Sequence, residues 1–287
     1  MFCSFRIRKR HLLTALCAVS ALAVSVSLLK GGGTEYCTNE MLATAAKANS
    51  EVVESAPTQD TGAEGEKVAY LTFDDGPSET TELVLDVLKE YGVRATFFVC
   101  AAENNENYLP TLTRTVAEGH QIGLHSSSHS YKKIYSSPES YWNDIEELKE
   151  KIAPYVGDTS HLTCLRFPGG STNSVSHKYG GSGIMKTLKQ QAEEKGYRYF
   201  DWNSCADDAV GEKKSPETLL RHVMRDVDNR KRVIVLMHDT KATKTTAQAL
   251  PAIIESLRKE GYVFDVLENY PPKSATPVVT TESQPPV

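Results

Sequence analysis

Hydrophobic and polar positions along the middle of the chain follow two alternating periods. Short runs of β-branched and aromatic residues predict strands, and the segments between them place apolar residues at helical spacing. In 79–91, for example, Val84 and Leu88 lie one helical turn apart on the same face. The seven predicted strands are 68–73, 95–100, 121–124, 162–167, 198–202, 233–237 and 263–266. This alternation predicts an α/β fold with a parallel sheet, either doubly wound or closed into a barrel.

The start of the chain has the composition of an export segment. Basic residues precede the apolar stretch 12–29, whose 18 residues would span about 27 Å, close to the hydrocarbon core of a bilayer. We expect region 1–33 to be a cytoplasmic tip and membrane anchor, with the rest of the chain outside the cell membrane. Cleavage after an Ala-Leu-Ala sequence inside the stretch is the alternative, and it would give a secreted protein.

Two further regions flank the alternating one. Region 34–66 has seven acidic residues against one lysine, which predicts a flexible acidic stalk. Region 271–287 has five prolines and predicts a disordered tail. Between them, 67–270 is expected to form one folded domain and to be monomeric.

Composition excludes several classes of protein. The chain has a net charge of -5, which argues against a protein that binds nucleic acid through a basic face. None of the six cysteines forms a Cys-x-x-Cys pair, so neither a zinc ribbon nor a redox dithiol is indicated. Whether Cys164 and Cys205 form a disulfide is left open by the sequence.

Candidate metal ligands follow the first and third predicted strands. Asp74 and Asp75 lie in an Asp-Asp-Gly-Pro sequence that is commonly a turn, but adjacent carboxylates can also divide roles as metal ligand and free base. His125 and His129 are four residues apart and would face one side of a helical turn. With an aspartate they would form a His₂Asp site with an open position, although a surface coincidence is the alternative for the pair alone.

Three more polar residues end predicted strands. Arg166, Asp201 and His238 lie at the carboxyl ends of predicted strands, and His238 follows an apolar run. Arg166 can be purely structural, and a histidine in an apolar context is more often a hydrogen-bonded core residue. Because all these candidates lie at the carboxyl ends of strands, where barrel enzymes keep their catalytic residues, we expect them to form one site.

Five motifs in the domain resemble those of one family. They are TFDDGP at 72–77, HSSSH at 125–129, RFPGG at 166–170, FDW at 200–202 and LMHD at 236–239. In this order they resemble the NodB-type polysaccharide deacetylases, carbohydrate esterase family 4, over about 67–266. The resemblance implies a distorted (β/α) barrel with about seven parallel strands, similar to a TIM barrel.

The resemblance also implies a metal site and its base. Asp75, His125 and His129 would bind one divalent metal, usually zinc and in some members cobalt or manganese. Asp74 would be the general base, and Arg166 would tether it.

Further roles follow from the same resemblance. His238 would be the general acid and Asp201 would tune it, although Asp207 and Asp208 lie close enough downstream to compete for that role. Arg94 would join the charged network.

The substrate contacts are implied as well. Trp202 and Leu236 would line a slot for the acetyl methyl group, and Pro168 and Gly169 would contact substrate through the third motif. That motif departs from the commoner R-P-P-Y-G form by carrying Phe167 and Gly169, which removes an aromatic wall.

We therefore expect metal-dependent removal of acetyl groups from a cell-surface polysaccharide. A domain outside the membrane on a stalk would reach the cell wall, so N-acetylglucosamine of peptidoglycan is the expected substrate. Chitin oligomers or acetylxylan are the alternative substrates, and a non-catalytic wall-glycan-binding protein on the same fold is the alternative function.

Overall fold

The structure, a computed structural model, describes residues 67–227 and 229–271. The regions predicted as anchor (1–33) and stalk (34–66), and the predicted tail after its first residue, lie outside these residues. Across the described ranges, no helix is both long enough and apolar enough to cross a membrane. Cys100, Cys164 and Cys205 are free thiols, so Cys164 and Cys205 do not pair.

Strands and helices alternate along the described chain. The strands are β1 (Lys67–Asp74), β2 (Thr96–Cys100), β3 (Gln121–Ser126), β4 (Cys164–Leu165), β5 (Arg198–Tyr199), β6 (Ser204–Cys205), β7 (Arg232–His238) and β8 (Tyr262–Phe264). The helices are α1 (Glu79–Tyr91), α2 (Thr111–Ala117), α3 (Tyr131–Ile134), α4 (Pro138–Val156), α5 (His177–Gly180), α6 (Ile184–Glu194), α7 (Pro216–Asp226) and α8 (Lys244–Lys259). Short 3₁₀ turns occur at Glu106–Tyr108, Lys241–Thr243 and Leu267–Asn269.

The strands form one parallel sheet in the order β5-β4-β3-β2-β1-β7-β6, with β8 also paired to β1. Within the described residues no ladder joins β5 to β6, so the sheet curls without closing. The predicted distorted barrel of parallel strands is confirmed. Some details differ. The predicted strands 162–167 and 198–202 are each only two residues long, as β4 and β5, and β5 is followed by β6, which the sequence pattern did not predict.

Successive side chains along each strand point alternately to the two sides of the sheet. One side packs against the helices and forms an outer core, and the other side faces the barrel interior. On β1, Leu71 and Phe73 belong to the core beneath the helices, whereas Tyr70 belongs to a separate interior cluster. The buried members of that interior cluster are Tyr70, Phe98, Cys164, Phe200, Ile234 and Leu267. Residues of β1 that lie an even number of positions from Tyr70 therefore face the barrel interior, and Asp74, four residues on at the end of β1, is one of them.

Helix ends are fixed by the residue types that the backbone requires there. The Ser137 and Ser215 side chains accept hydrogen bonds from the backbone N–H groups three residues on, and a proline follows each as the first helical residue. Gly92 ends α1 with φ 61°, a left-handed conformation that glycine adopts without strain. These caps fix where each connection returns the chain to the sheet.

Candidate active site

Three side chains converge where β1 and β3 end. Asp75 directly follows β1 and has φ 70°, a left-handed conformation in which the extended strand cannot continue. Asp75 Oδ1 lies 3.3 Å from His125 Nε2 and 3.1 Å from His129 Nε2. His125 belongs to β3 and His129 lies beyond its end, so the two histidines do not share a helical turn, and that part of the prediction is wrong. A turn in the chain, with φ 48° at His129, brings the imidazoles together instead.

The turn after β3 is held by a carboxylate from α4. Asp144 is 1% exposed and accepts hydrogen bonds from the Ser126 and Ser128 hydroxyls, both at 2.6 Å, and from the Ser127 and Ser128 backbone N–H groups. The Ser126 hydroxyl oxygen in turn accepts a hydrogen bond from His129 N at 2.8 Å. Asp144 is not among the residues predicted from the sequence. The signal was present, because this aspartate falls within the buried stripe of α4.

The donor set fits one divalent cation. In a tetrahedral site with bonds of about 2.0 to 2.1 Å, neighbouring ligand atoms lie about 3.3 to 3.4 Å apart, and the two Asp75–histidine distances are close to that value. The Arg166 carbonyl accepts a hydrogen bond from His125 Nδ1 at 2.7 Å, which leaves the Nε2 lone pair for a metal. Burial acts to raise the pKa of Asp75, but His129 and His125 outweigh it and hold that pKa well below its usual range.

The second carboxylate is held by a fully buried arginine. Arg166 donates from Nη1 to Asp74 Oδ1 and to the Thr72 hydroxyl, both at 2.8 Å. It also donates to the backbone carbonyls of Phe200 and Asp201. The guanidinium is therefore fixed on several sides, and it fixes Asp74 in turn, as predicted for these two residues. Asp74 itself is only 3% exposed.

His238 lies at the end of β7, paired in register with Asp74. Its Nδ1 is 2.8 Å from Asp208 Oδ1, and its backbone N–H donates to Asp208 Oδ2 at 2.7 Å. The Thr246 hydroxyl also donates to Asp208. Burial acts to lower the pKa of His238, but Asp208, with Asp75 and Asp74, raises it to about 10. The imidazole is thereby held as a proton donor.

The predicted role of Asp201 is wrong, and Asp208 occupies that position. Asp201 accepts hydrogen bonds from the backbone N–H and the hydroxyl of Ser171, at 2.8 and 2.5 Å. It therefore supports the loop of the third motif. The physical reason is that β5 ends early and β6 pairs with β7, which brings the carboxylate after β6 to His238.

Arg94 does not join the site. It precedes β2, at the amino end of the strand, and its only described ion pair is with Asp265, Nη2 to Oδ1 3.3 Å. The amino and carboxyl ends of parallel strands lie at opposite ends of the barrel, so the prediction that Arg94 belongs to the catalytic network is wrong.

The third motif places its two unusual residues in different environments. Phe167 is buried in the outer core, so it packs against helices and does not face the site. Gly169 has φ 78°, and a Cβ there would lie 2.6 Å from the hydroxyl oxygen of Tyr131. The Tyr131 ring thus lies beside the position where the commoner motif carries its own tyrosine. The carbonyl of Pro168 accepts a hydrogen bond from the Tyr135 hydroxyl at 2.7 Å.

Trp202 lies near Arg166, and Leu236 lies on the same strand as His238. Leu236 is 5% exposed and lies on β7 two residues before His238, so the two side chains point to the same side of the sheet, toward the barrel interior. Trp202 packs against the interior cluster, and the Arg166 guanidinium lies 5.5 Å from its ring. Both side chains lie toward the carboxyl ends of the strands, where the other candidate residues lie. Their role in lining a slot for the acetyl methyl group stays a prediction.

Comparison with known proteins gives consistent matches over this domain. A family model described as polysaccharide deacetylase matches residues 61–200. The peptidoglycan-N-acetylglucosamine deacetylase of Bacillus cereus is 33% identical over 218 residues, which cover 75% of this chain and 74% of that protein.

Two solved structures resemble the fold. The catalytic domain of peptidoglycan N-acetylglucosamine deacetylase from Eubacterium rectale has a TM-score of 0.68 and 35% identity, covering 77% of this chain and 97% of that one. A family 4 acetyl xylan esterase from Clostridium thermocellum, solved in complex with a cobalt ion, has a TM-score of 0.56 and 29% identity, covering 70% and 89%.

Proposed function

The chain belongs to the polysaccharide deacetylase family, and we propose that it hydrolyses the N-acetyl groups of peptidoglycan N-acetylglucosamine with one bound divalent cation. Polysaccharide deacetylation follows from the family. The observation that carries the proposed cation and mechanism is the convergence of Asp75, His125 and His129 beside a second carboxylate, Asp74, that Arg166 holds apart.

Asp75, His125 and His129 would hold the cation, zinc by preference, with cobalt or manganese as alternatives. A divalent cation at this point would supply Lewis-acid chemistry, polarising the acetyl carbonyl and lowering the pKa of water from about 15.7 towards 7. The acetyl xylan esterase crystallised with cobalt supports this proposal by its fold and metal.

The remaining steps belong to the protein's own side chains. Asp74 takes a proton from the attacking water, since Arg166 holds one of its oxygens and leaves the other, Oδ2, beside the histidines, 4.0 Å from His125 Nε2. His238 gives a proton to the departing amine, and Asp208 keeps its ring in one orientation. A cation beside Asp75 would offset the carboxylates that raise the pKa of His238 and bring that pKa nearer to neutrality.

The backbone N–H of Gly169 is the candidate donor to the oxyanion that forms on the acetyl carbonyl. Oxyanion donors contribute about 3 to 4 kcal/mol each to stabilising the transition state. Asp201 supports this step indirectly, because it fixes the loop through Ser171.

Peptidoglycan is proposed as the substrate for two reasons. The relatives from Bacillus cereus and Eubacterium rectale carry this activity in their names. We also propose that 1–33 anchors the chain in the cell membrane and that 34–66 forms a stalk, which would place the domain, 67–270, against the wall, with 271–287 as a tail. A net charge of -5 is consistent with a protein that does not bind nucleic acid.

The test is acetate release by the full chain from peptidoglycan, chitin oligomers and acetylxylan, with and without chelator. We expect release from peptidoglycan to be the fastest, to stop with chelator and to return with zinc. Asp74→Asn is expected to lower the rate about 10²- to 10⁴-fold. Asp158→Asn, an exposed carboxylate in the loop before β4, is the matched control and should keep full activity.

Other outcomes would redirect the proposal. Faster release from chitin oligomers or acetylxylan would change the substrate but keep the mechanism. Release that persists in chelator would overturn the cation. Tight binding to peptidoglycan without acetate release would favour the non-catalytic wall-binding protein.

A further inference from the structure

A buried thiol lies beside the three candidate metal ligands and has no part in the mechanism described above. Cys100 is the last residue of β2 and is 1% exposed. Its Sγ lies 3.8 Å from Asp75 Oδ1. Ligand atoms of Asp75, Cys100, His125 and His129 all lie within 4.8 Å of one another.

The position of Cys100 on β2 directs its side chain toward the three candidate metal ligands. Along β2, Phe98 faces the barrel interior, so Cys100, two residues later, has the same inward parity. The pairing of β2 with β3 shifts between Val99 and Cys100, so that Cys100 lies opposite Ser126 instead of His125. Irregularities of this kind are common next to active sites, where they redirect a side chain.

The backbone around the thiol is hydrogen-bonded to the turn that carries Asp75. Cys100 N donates to the Gly76 carbonyl at 2.7 Å, and Asp75 N donates to the Phe98 carbonyl at 3.2 Å. Two hydrogen bonds therefore join the end of β2 to the turn that carries Asp75. The distance between Sγ and Asp75 Oδ1 is set by this frame, not by a flexible loop.

We propose that Cys100 Sγ is a fourth protein ligand of the cation and gives the site a preference for zinc or cobalt over manganese. In a tetrahedral site with a Zn–S bond of about 2.3 Å and a Zn–O bond of about 2.0 Å, sulfur and oxygen lie about 3.5 Å apart, near the spacing found here. Sulfur ligands select zinc-like metals, whereas carboxylate sites also suit manganese. On binding, the S–H bond is replaced by the S–metal bond and the proton passes to solvent.

With Cys100 bound, four protein ligands would surround the cation, and the water of the proposed reaction would enter as a fifth ligand, an expansion that catalytic zinc allows. The inference rests on the proposed function only in requiring a cation at Asp75, His125 and His129. It adds a residue that sets which metal binds and how tightly.

The first test is X-ray absorption of the zinc-loaded full chain, which needs no variant. We expect one sulfur scatterer at about 2.3 Å together with nitrogen and oxygen scatterers at about 2.0 to 2.1 Å. Only nitrogen and oxygen scatterers would overturn the role of Cys100 and leave the proposed function intact. No bound zinc at all would overturn both the thiol ligand and the proposed cation.

The second test compares variants. The cobalt-loaded protein should show a sulfur-to-cobalt charge-transfer absorption that Cys100→Ser lacks and that Cys164→Ser, a buried thiol in the barrel interior, retains. We expect the ratio of zinc to manganese affinity, measured by competition, to fall about 10-fold or more in Cys100→Ser. An absorption that survives in Cys100→Ser, or an unchanged affinity ratio, would contradict the proposal.

Discussion

The two ends of β3 each carry a buried histidine, and the surroundings of the two rings are opposite. His120 directly precedes the strand, and its Nδ1 accepts a hydrogen bond from Ala95 N at 3.2 Å. Its buried Nε2 has no hydrogen-bond partner within the described residues, and Glu118 Oε2 is 4.0 Å away. Burial lowers the pKa of His120 to about 4, so this ring is neutral and structural.

At the other end of the same strand, His125 is just as buried. Burial acts to lower its pKa too, but Asp75 and Asp74 outweigh it and raise that pKa. A cavity of about 190 Å³ lies at the His120 end, yet among the described residues the only cluster of three or more potential metal ligands is at the His125 end. Burial alone keeps His120 neutral, whereas the carboxylates that converge on His125 favour its charged form and place it among potential metal ligands.

The largest effect is expected from removing Asp75, the carboxylate between His125 and His129. We expect Asp75→Asn to lose bound zinc and to release acetate at least about 10³-fold more slowly, because a bound cation contributes several kcal/mol to the transition state. Metal analysis and acetate release measure this, with Asp158→Asn as the unaffected control. If Asp75→Asn kept one zinc per chain, the assignment of this ligand would fail.

A second variant tests the buried charge pair against an exposed one. Arg166→Met leaves Asp74 buried without its partner, and we expect the free energy of unfolding in urea at pH 7 to fall by about 3 to 5 kcal/mol. Arg94→Met removes an exposed pair with Asp265 at the opposite end and should cost no more than about 1 kcal/mol. Equal losses from the two variants would show that Arg166 does not hold a buried charge.

A third pair of variants separates Asp208 from Asp201. Asp208→Asn is expected to lower kcat about 10²-fold. It should also shift the alkaline limb of the pH–rate profile to lower pH, because Asp208 raises the pKa of the proton donor His238. Asp201→Asn loosens the Ser171 loop and should leave that limb unmoved. A limb that moves with Asp201 instead would restore the role that the sequence suggested.

The smallest expected effect concerns the inert histidine. The folded pKa of His120, about 4, lies below its ordinary value of 6.5, so the unfolded chain takes up the proton first as pH falls. Stability is therefore lost between about pH 6.5 and 4, by about 2 kcal/mol from this residue on going from pH 8 to 5. Urea unfolding of His120→Asn should show a correspondingly smaller loss. An identical pH dependence in the variant would contradict the assignment.

Much of the site could be predicted because strand ends and alternation are local properties of the sequence. Asp74, Asp75 and His125 lie at the ends of strands that hydrophobic runs had predicted. Cys100 could also have been found, since it has the same parity as Phe98 within the predicted strand 95–100. Arg94 could have been excluded, since it precedes that strand.

Other parts depend on contacts between distant segments. Asp208 and His238 are 30 residues apart and meet only because β6 pairs with β7. β6 has only two residues and no hydrophobic pattern that would predict it. Asp201 lies in the segment that resembles the fourth family motif, but its carboxylate accepts a hydrogen bond from Ser171, because β5 already ends at Tyr199. The place of Tyr131 beside Gly169 likewise follows from packing between loops.

Anomalous diffraction at the zinc edge, from a crystal of the protein grown with zinc, would locate the proposed cation directly. We expect one strong peak within bonding distance of Asp75 Oδ1, His125 Nε2 and His129 Nε2, with Asp74 held by Arg166 and outside the ligand shell. A peak elsewhere, or a cation bound by Asp74 in place of Asp75, would contradict the proposed ligand set of Asp75, His125 and His129.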